Sequence, residues 1–336
     1  MKLGLMWGYW GAGPPADVIP VTQEAERLGF DSVWTAEAWG SDAFSPLAWI
    51  AGQTSTIKLG TSVVQLAART PTATAMAAMT IDHLSNGRFQ LGLGVSGPQV
   101  VEGWYGRPST KPLARTREYV EIIRRVLRRE EPLDFDGEFY QHPYRGDGST
   151  GLGKPLRSIV HPLRADLPIF LGAEGPKNVA MAAEIADGWL PLYYSPHHPE
   201  VYADSLAAAK PGFQIAAGAQ VNINDDLEAA LLPVKMMLGF YIGGMGAKGQ
   251  NYHTKLMQRF GYEAEALKIQ DLFFAGKRDE AIAAVPDEFA DAISLCGSPE
   301  RIRDRVAAWE ESAVSTLLVY SPGGPDALRT VAEILL

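Results

Sequence analysis

Five strand-like segments of this chain are each followed by a short run of small, polar and aromatic residues. Such runs surround a ligand with backbone amides, hydroxyls and ring faces rather than with clustered charges, so they suit a flat conjugated molecule better than a metal ion. The residues in these runs that we select as candidate ligand contacts are Trp7, Ala36, Ser62, Val63, Gln65, Gly94, Val95, Ser96, Gly97, Gly172, Ala173, Glu174 and Gly175.

A phosphate-binding helix start is predicted at Gly175-Pro176-Lys177. Proline suits the first turn of a helix, where its missing N–H is not needed. The free amide groups and the dipole of a helix N-terminus attract anions, and Lys177 would add a positive charge. An ordinary capped helix is the alternative interpretation of the same residues.

Several common active sites lack their residues in this sequence. The adjacent His197 and His198 cannot both face one ion from a regular helix, and His-Glu-x-x-His is absent. Neither a Walker phosphate loop nor a Gly-x-Ser-x-Gly nucleophile motif is present. Cys296 is the only cysteine, which excludes an intrachain disulfide and a cysteine metal cluster. We therefore expect no metal site, and a reducing cytoplasm as the location.

The charge balance limits the partners. Acidic residues exceed basic ones by 39 to 30, giving a net charge of -9, which argues against nucleic acid or an anionic membrane as the main partner. No export signal is visible in Lys2 to Trp7. The apolar stretch from Ala229 to Ala247 contains Pro233 and Lys235, so we expect buried protein there rather than a membrane span. A small-molecule substrate remains the expected partner.

Alternating strand-like and helical patterns predict an α/β fold made of repeated βα units. Eight strand candidates start near residues 2, 31, 57, 88, 167, 188, 213 and 316, which favours a TIM (β/α)8 barrel as a single domain over residues 1–336. Strands of such a barrel end at one mouth, so the five runs should meet there. Residues 132–165 have no period and predict an irregular insertion, of the kind that often covers a site.

The ordered motifs Leu28 to Trp34, Ile57 to Thr61, Leu84 to Gly94 and Ala186 to Trp189 resemble the bacterial luciferase-like superfamily. The resemblance covers nearly the whole chain. Within that superfamily, the sequence is most similar to oxidoreductases that use the deazaflavin coenzyme F420, which include the glucose-6-phosphate dehydrogenase and methylenetetrahydromethanopterin reductase branches.

This resemblance implies a barrel with an insertion, and a deazaflavin or flavin across its C-terminal mouth that exchanges a hydride on one ring face. It also implies that Thr61-Ser62-Val63 carries a non-prolyl cis peptide behind the ring. Gly94 to Gly97 would lie beside the ring, and Gly172 to Lys177 would receive the phosphate. The positive charge that the anionic tail of coenzyme F420 needs near the rim would come from Arg69, Arg107, Lys111 and Lys177.

Glu37 is the candidate catalytic residue. It stands where similar deazaflavin dehydrogenases have a histidine, with Ala36 in place of their aspartate, and Gly97 replaces the catalytic glutamate of the sugar-phosphate branch. Glucose 6-phosphate is therefore not the expected substrate. A carboxyl group beside Trp39 and an anionic cofactor would hold a proton readily, as a general acid or base requires. Alternatively, Glu37 pairs with a barrel arginine or accepts backbone N–H bonds. Asp42, His83 and Glu174 are weaker candidates.

The function that follows is an oxidoreductase that transfers a hydride between coenzyme F420 and a small organic substrate. The alternatives are an FMN-dependent monooxygenase of the same superfamily and a non-catalytic flavin- or deazaflavin-binding protein. Similar proteins pair as homodimers, and the small apolar stretch from Ala73 to Met79 would allow close helix packing between two copies.

Overall fold

The apolar segments rich in valine, isoleucine and leucine form eight parallel strands that close into a barrel. A computed structural model describes residues 1–336. The barrel strand β3 pairs with both β2 and β4, which closes the sheet and confirms the predicted TIM barrel. Each strand begins within two residues of its predicted start. The strands are β1 (Lys2–Gly8), β2 (Ser32–Thr35), β3 (Lys58–Thr61), β4 (Phe89–Gly94), β5 (Ile169–Gly172), β6 (Gly188–Leu190), β7 (Gln214–Ala219) and β8 (Thr316–Tyr320).

Helices lie between the strands and cover the outside of the barrel, where their apolar faces join the strands in one large core. Thr70 begins one of them as predicted, since its hydroxyl accepts from the Ala73 amide at 3.3 Å and a proline follows. The helices are α1 (Val18–Arg27), α2 (Phe44–Ala51), α3 (Pro71–Leu84), α4 (Pro98–Gly103), α5 (Pro112–Arg128), α6 (Pro176–Ile185), α7 (Glu200–Leu206), α8 (Leu227–Gly244), α9 (Tyr252–Arg259), α10 (Glu263–Phe274), α11 (Arg278–Ala283), α12 (Asp287–Ala292), α13 (Pro299–Glu311) and α14 (Gly324–Leu335).

The barrel interior is filled by aromatic rings set against glycines. Trp34 and Phe170 meet edge to face, with ring centroids 5.4 Å apart. Gly60 lies beneath the Trp34 ring, and Gly188 lies beside Phe170; a Cβ at either glycine would stand within 2.5 Å of ring carbons. The absent side chains therefore make room for two large rings in a narrow barrel.

The irregular segment between α5 and β5 contains a small hairpin, Phe135–Asp136 with Gln141–His142. Its end packs at the N-terminal side of the barrel, because Arg164 pairs with Asp82 and donates to the carbonyl of Phe89, the first residue of β4, at 2.7 Å. None of residues 132–165 lines the cavity at the opposite mouth. Glu138 of the hairpin pairs with Lys111, which precedes the cavity-lining Pro112, so this part of the insertion lies beside the cavity. That the insertion covers the site stays a prediction.

One helix, α8, is long and apolar enough to span a membrane by length and composition alone, with a mean hydropathy of 1.3. Pro233 lies inside it, and the helix packs against α9, α10, α11 and α12. These contacts agree with the interpretation of this stretch as part of the packed protein, with one face buried against other helices and Leu232, Met236 and Phe240 exposed on the other.

We predict that Gly60→Ala strongly destabilises the protein, because the added Cβ would stand 2.2 Å from Cε3 of Trp34. Overpacking of this kind costs typically about 1 to 3 kcal/mol. Gly52→Ala is the matched control, since its nearest contact would be a carbonyl oxygen at 3.8 Å. Urea unfolding of both variants checks the prediction, and equal stability of the two would contradict it.

Candidate active site

The C-terminal ends of the strands surround a cavity of about 860 Å³, within the size range of cofactor sites. The five runs selected from the sequence meet there, together with the start of α6. The predicted residues that line the cavity are Ala36, Glu37, Ser62, Val63, Gln65, Gly94, Val95, Ser96, Gly97, Gly172, Ala173, Glu174, Gly175, Pro176 and Lys177.

Trp7 is the exception, and its prediction as a cofactor contact is corrected. Successive side chains of a strand point to opposite faces. Met6 and Gly8 of β1 face the cavity, whereas Trp7 points outward and its indole N–H donates to the Thr22 hydroxyl of α1 at 3.0 Å. Trp7 therefore fastens a helix to the barrel.

An apolar shelf is formed by Val63, which follows the end of β3. The Ser62–Val63 peptide bond is cis, as the resemblance implied. The Val63 side chain lies over Gly94 and Gly172, where an added Cβ would stand 2.6 Å and 3.0 Å from its methyl groups. These two glycines therefore give Val63 its place in the floor of the cavity.

Glu37 holds this shelf in position. Its carboxylate accepts from Arg69 Nη1 at 3.0 and 2.7 Å, from the Gln65 amide at 3.1 Å, and from the Ala43 amide at 3.4 Å. Its own amide donates to the Val63 carbonyl at 3.2 Å. The Gln65 side chain closes the network by donating to the Glu37 carbonyl at 2.9 Å.

These contacts match the structural alternative for Glu37, a glutamate that pairs with a barrel arginine and accepts backbone N–H bonds. Its side chain is 3% exposed, and both carboxylate oxygens already have donors. The arrangement does not favour the prediction that Glu37 exchanges a proton with substrate. Asp42 and His83 lie outside the cavity lining, and Asp42 instead accepts from the amides of Phe44 and Ser45.

The start of α6 fits an anion. Its N-cap, Gly175, provides no side-chain cap, and Lys177 lines the cavity. The loop before it is fixed from behind, since Trp189 Nε1 donates to the Ala173 carbonyl at 2.8 Å and Arg259 donates to the Glu174 carbonyl. Pro176 has no N–H, and the amides of Asn178 and Val179 donate to the Gly175 carbonyl, so the amides of Gly175 and Lys177 are the ones free for a phosphate.

Four basic residues were expected near the anionic tail of coenzyme F420. Lys177 alone lines the cavity, whereas Arg69 is engaged by Glu37 and Lys111 pairs with Glu138 at the surface. Arg107 is exposed and also outside the lining. Contacts of Arg107 and Lys111 with the tail outside the cavity stay a prediction.

The cavity also has a polar and aromatic wall, of which the sequence analysis selected only Glu174. We call Tyr9, Tyr241, Tyr320, His253 and Glu174 the tyrosine–histidine wall. The Tyr9 and Tyr241 hydroxyls are 3.2 Å apart, and the Tyr241 and His253 ring centroids are 5.1 Å apart. Burial raises the pKa of Tyr320 to about 12 and also raises that of Tyr241, so both phenols stay protonated at neutral pH.

Tyr241 and His253 escaped notice because they belong to α8 and α9, beyond any strand end. Tyr241 lies in the apolar sequence of α8, which has the composition of a core helix, whereas α9 has the mixed composition of a surface helix. One signal was available: Asn251 is a good N-cap, and its side chain accepts from the His253 amide at 2.8 Å. The structure contains no group of three or more His, Cys, Asp or Glu side chains arranged to hold a metal ion.

Comparison with known proteins identifies the family. The model of the luciferase-like monooxygenases matches residues 6–316. This chain belongs to that family. The resemblance inferred from the ordered motifs is thus confirmed.

Two relatives of this luciferase-like protein align over almost its full length. A Mycobacterium tuberculosis protein, named as a candidate coenzyme F420-dependent oxidoreductase, is 52% identical over 100% of this chain and 99% of its own. The 5,10-methylenetetrahydromethanopterin reductase of Archaeoglobus fulgidus is 30% identical over 92% of this chain and 91% of its own.

Among solved structures, the coenzyme F420-dependent tetrahydromethanopterin reductase of Methanopyrus kandleri superimposes with a TM-score of 0.78 at 22% identity, over 99% of this chain and 98% of that one. An F420-dependent secondary alcohol dehydrogenase gives 0.76 at 15% identity with the same coverage. At these identities the structures share the fold of this luciferase-like chain.

We predict that Glu37→Gln lowers the free energy of unfolding by about 1 to 3 kcal/mol, because it leaves the Arg69 guanidinium with a weaker, neutral partner. The matched control is Glu184→Gln, whose pair with Arg117 is exposed on the surface and should matter much less. Urea unfolding measures both variants. Indistinguishable losses would contradict the role assigned to Glu37.

Proposed function

We propose that this luciferase-like enzyme binds coenzyme F420 and exchanges a hydride between it and a small organic substrate. The observation that carries the proposal is one cavity with an apolar shelf, Val63, and an anion-binding helix start at Gly175 to Lys177. The apolar shelf suits a planar ring, and the helix start suits a phosphate. The names of the relatives at 52% and 30% identity support the deazaflavin over other flavins.

The second candidate is an FMN-dependent monooxygenase of the same family. It is favoured by the single lysine in the cavity, since FMN needs one phosphate site whereas coenzyme F420 carries further negative charge in its tail. On the proposed assignment, that tail extends past Lys177 toward solvent, and the exposed Arg107 and Lys111 are the candidates to contact it.

The residues of the chain mainly bind and orient. Val63 would support the ring from behind, and the amides at the start of α6 would hold the phosphate. The bound coenzyme supplies the hydride-transferring carbon. Glu37 acts as a positioning residue, because it fixes the segment that carries Val63. Orientation of this kind contributes to rate by holding reacting atoms close and aligned.

Titration of the ligand-free protein with coenzyme F420 and with FMN, followed by fluorescence, tests the proposal. We expect saturable micromolar binding of coenzyme F420 and markedly weaker binding of FMN. Tight binding of FMN without binding of the deazaflavin would favour the monooxygenase. Reduced coenzyme F420 that is never oxidised by ketones, enones, imines or nitro compounds would favour a non-catalytic binding protein.

We predict that Gly94→Ala weakens binding of coenzyme F420 at least about tenfold, since its Cβ would stand 2.6 Å from Val63 Cγ2 and displace the shelf. A tenfold loss corresponds to about 1.4 kcal/mol. Gly103→Ala is the control, because a Cβ there meets no atom within 4 Å and the residue is outside the cavity lining. Equal affinity of the two variants would argue against a ring resting on Val63.

We also propose a homodimer that pairs through α2 and α3. Met79 is buried within its own subunit, but large apolar side chains on these adjacent helices stay exposed: Trp49, Met76 and Leu84. Light scattering should give about twice 36.4 kDa for the wild type and a smaller mass for Met76→Glu. A wild type that is monomeric at micromolar concentration would refute this pairing.

A further inference from the structure

The open side of the proposed ring faces groups that can carry protons. Val63 lies between the ends of β3 and β4, and the strand order places β7 and β8 across the barrel from it. Tyr320 ends β8, and Tyr241 belongs to the helix that follows β7. A ring supported by Val63 therefore turns its other face toward Tyr241 and Tyr320, where a substrate would lie, and His253 packs against the Tyr241 ring.

Within this wall, His253 and Glu174 form the one histidine–carboxylate pair of the cavity. Nδ1 of His253 lies 3.0 Å from Oε2 of Glu174, and the side chains are 13% and 20% exposed. Both atoms are shielded from solvent, yet they are not aligned for a hydrogen bond. His253 lines the cavity, so a rotation of its ring that aligned the two atoms would keep the imidazole beside a bound molecule.

Other groups hold this pair in place. The Tyr241 ring contacts His253 edge to face, and Tyr193 packs on its other side at a centroid distance of 6.1 Å. Arg259 binds the Glu174 carbonyl, which fixes the backbone that carries the carboxylate. A carboxylate that orients an imidazole is a recurrent arrangement for general acid and base work.

We propose that His253, oriented by Glu174, is the acid–base residue that gives a proton to the oxygen of a carbonyl substrate, or removes it from the corresponding alcohol. This inference rests on the proposed function. The carbonyl carbon gains a hydride from the reduced coenzyme while the C=O π electron pair moves to oxygen, and that oxygen takes the proton of the His253 imidazolium. The substrate is thereby reduced by two electrons to an alcohol, the coenzyme is oxidised by two, and His253 regains its proton from solvent.

The aromatic wall also limits the substrate class. Tyr9, Tyr241, Tyr252 and Trp39 line the cavity, and Lys177 is its one cationic lysine or arginine. An uncharged, largely apolar ketone or aldehyde fits such a wall better than a sugar phosphate or a dicarboxylate.

The first test measures single-turnover oxidation of reduced coenzyme F420 by a panel of apolar ketones and aldehydes from pH 5 to 9. His253→Gln should lower the rate about 10²- to 10⁴-fold with unchanged affinity for coenzyme F420. It should also weaken the dependence of the rate on pH. Tyr193 and Tyr241 do not contribute to that dependence near neutral pH, since burial raises the pKa of both. Glu174 and Arg259 are the charged groups beside the pair.

Three comparisons make this test specific. Imidazole added to His253→Ala should restore part of the rate. Glu174→Gln should lower the rate less than His253→Gln does, as expected for a positioning residue. His161→Gln, an exposed histidine outside the cavity lining, should behave as the wild type. A His253→Gln enzyme within threefold of the wild-type rate would overturn the assignment while leaving the proposed function intact.

A second measurement does not depend on turnover. Proton NMR of the coenzyme-bound protein should show a strongly downfield, exchange-protected imidazole N–H that is absent from both His253→Gln and Glu174→Gln. Its absence from the wild type, or its persistence in Glu174→Gln, would overturn the pairing. Failure of the wild type to bind coenzyme F420 would instead contradict the proposed function.

Discussion

The contact on which this site depends is the ion pair between Glu37 and Arg69. It lies where β2, the turn after β3 and the start of α2 come together, with the Glu37 side chain 3% exposed and that of Arg69 24% exposed. A buried charge requires its partner and its hydrogen bonds, so the Glu37 carboxylate constrains the Gln65 and Ala43 backbones at once. Val63 sits inside that constraint, bonded through its carbonyl to the Glu37 amide. A stable network of charges thereby sets the position of an apolar surface.

Two glycines leave the space in which the Val63 side chain lies. Gly94 and Gly172 end neighbouring strands, and each leaves the volume that a Val63 methyl group occupies. Deeper in the barrel, Gly60 and Gly188 play the same part for Trp34 and Phe170. At and below the floor of the cavity, each of these large side chains thus occupies space that a glycine leaves free. Two parts of the cavity lining differ in chemistry. Val63 and the backbone amides at the start of α6 form one part, and the tyrosine–histidine wall forms the other.

Much of this arrangement could be predicted from the sequence, for a geometric reason. Parallel strands of a barrel end at one mouth, so five separate strand ends had to converge, and fifteen predicted residues line the cavity. The prediction for Trp7 was wrong because adjacent residues of a strand point to opposite faces. A register shift between Met6 and Gly8 makes it hard to assign from the sequence which residues point into the barrel. His253 and Tyr241 were missed because they belong to helices in the long connection between β7 and β8, and the Asn251 cap shows where α9 begins but not that it reaches the cavity. The position of the insertion at 132–165 could not be predicted for a related reason: an aperiodic segment gives no indication of which part of the barrel it packs against.

A crystal structure of the protein with coenzyme F420 is the most direct test of the central claim, that the Glu37–Arg69 pair positions a shelf for a planar ring. We expect the deazaflavin ring to rest on Val63 with its open face toward Tyr241 and His253, and the phosphate of the coenzyme to lie at the start of α6. A ring that stacks instead on the tyrosine–histidine wall, with Val63 exposed to solvent, would contradict it.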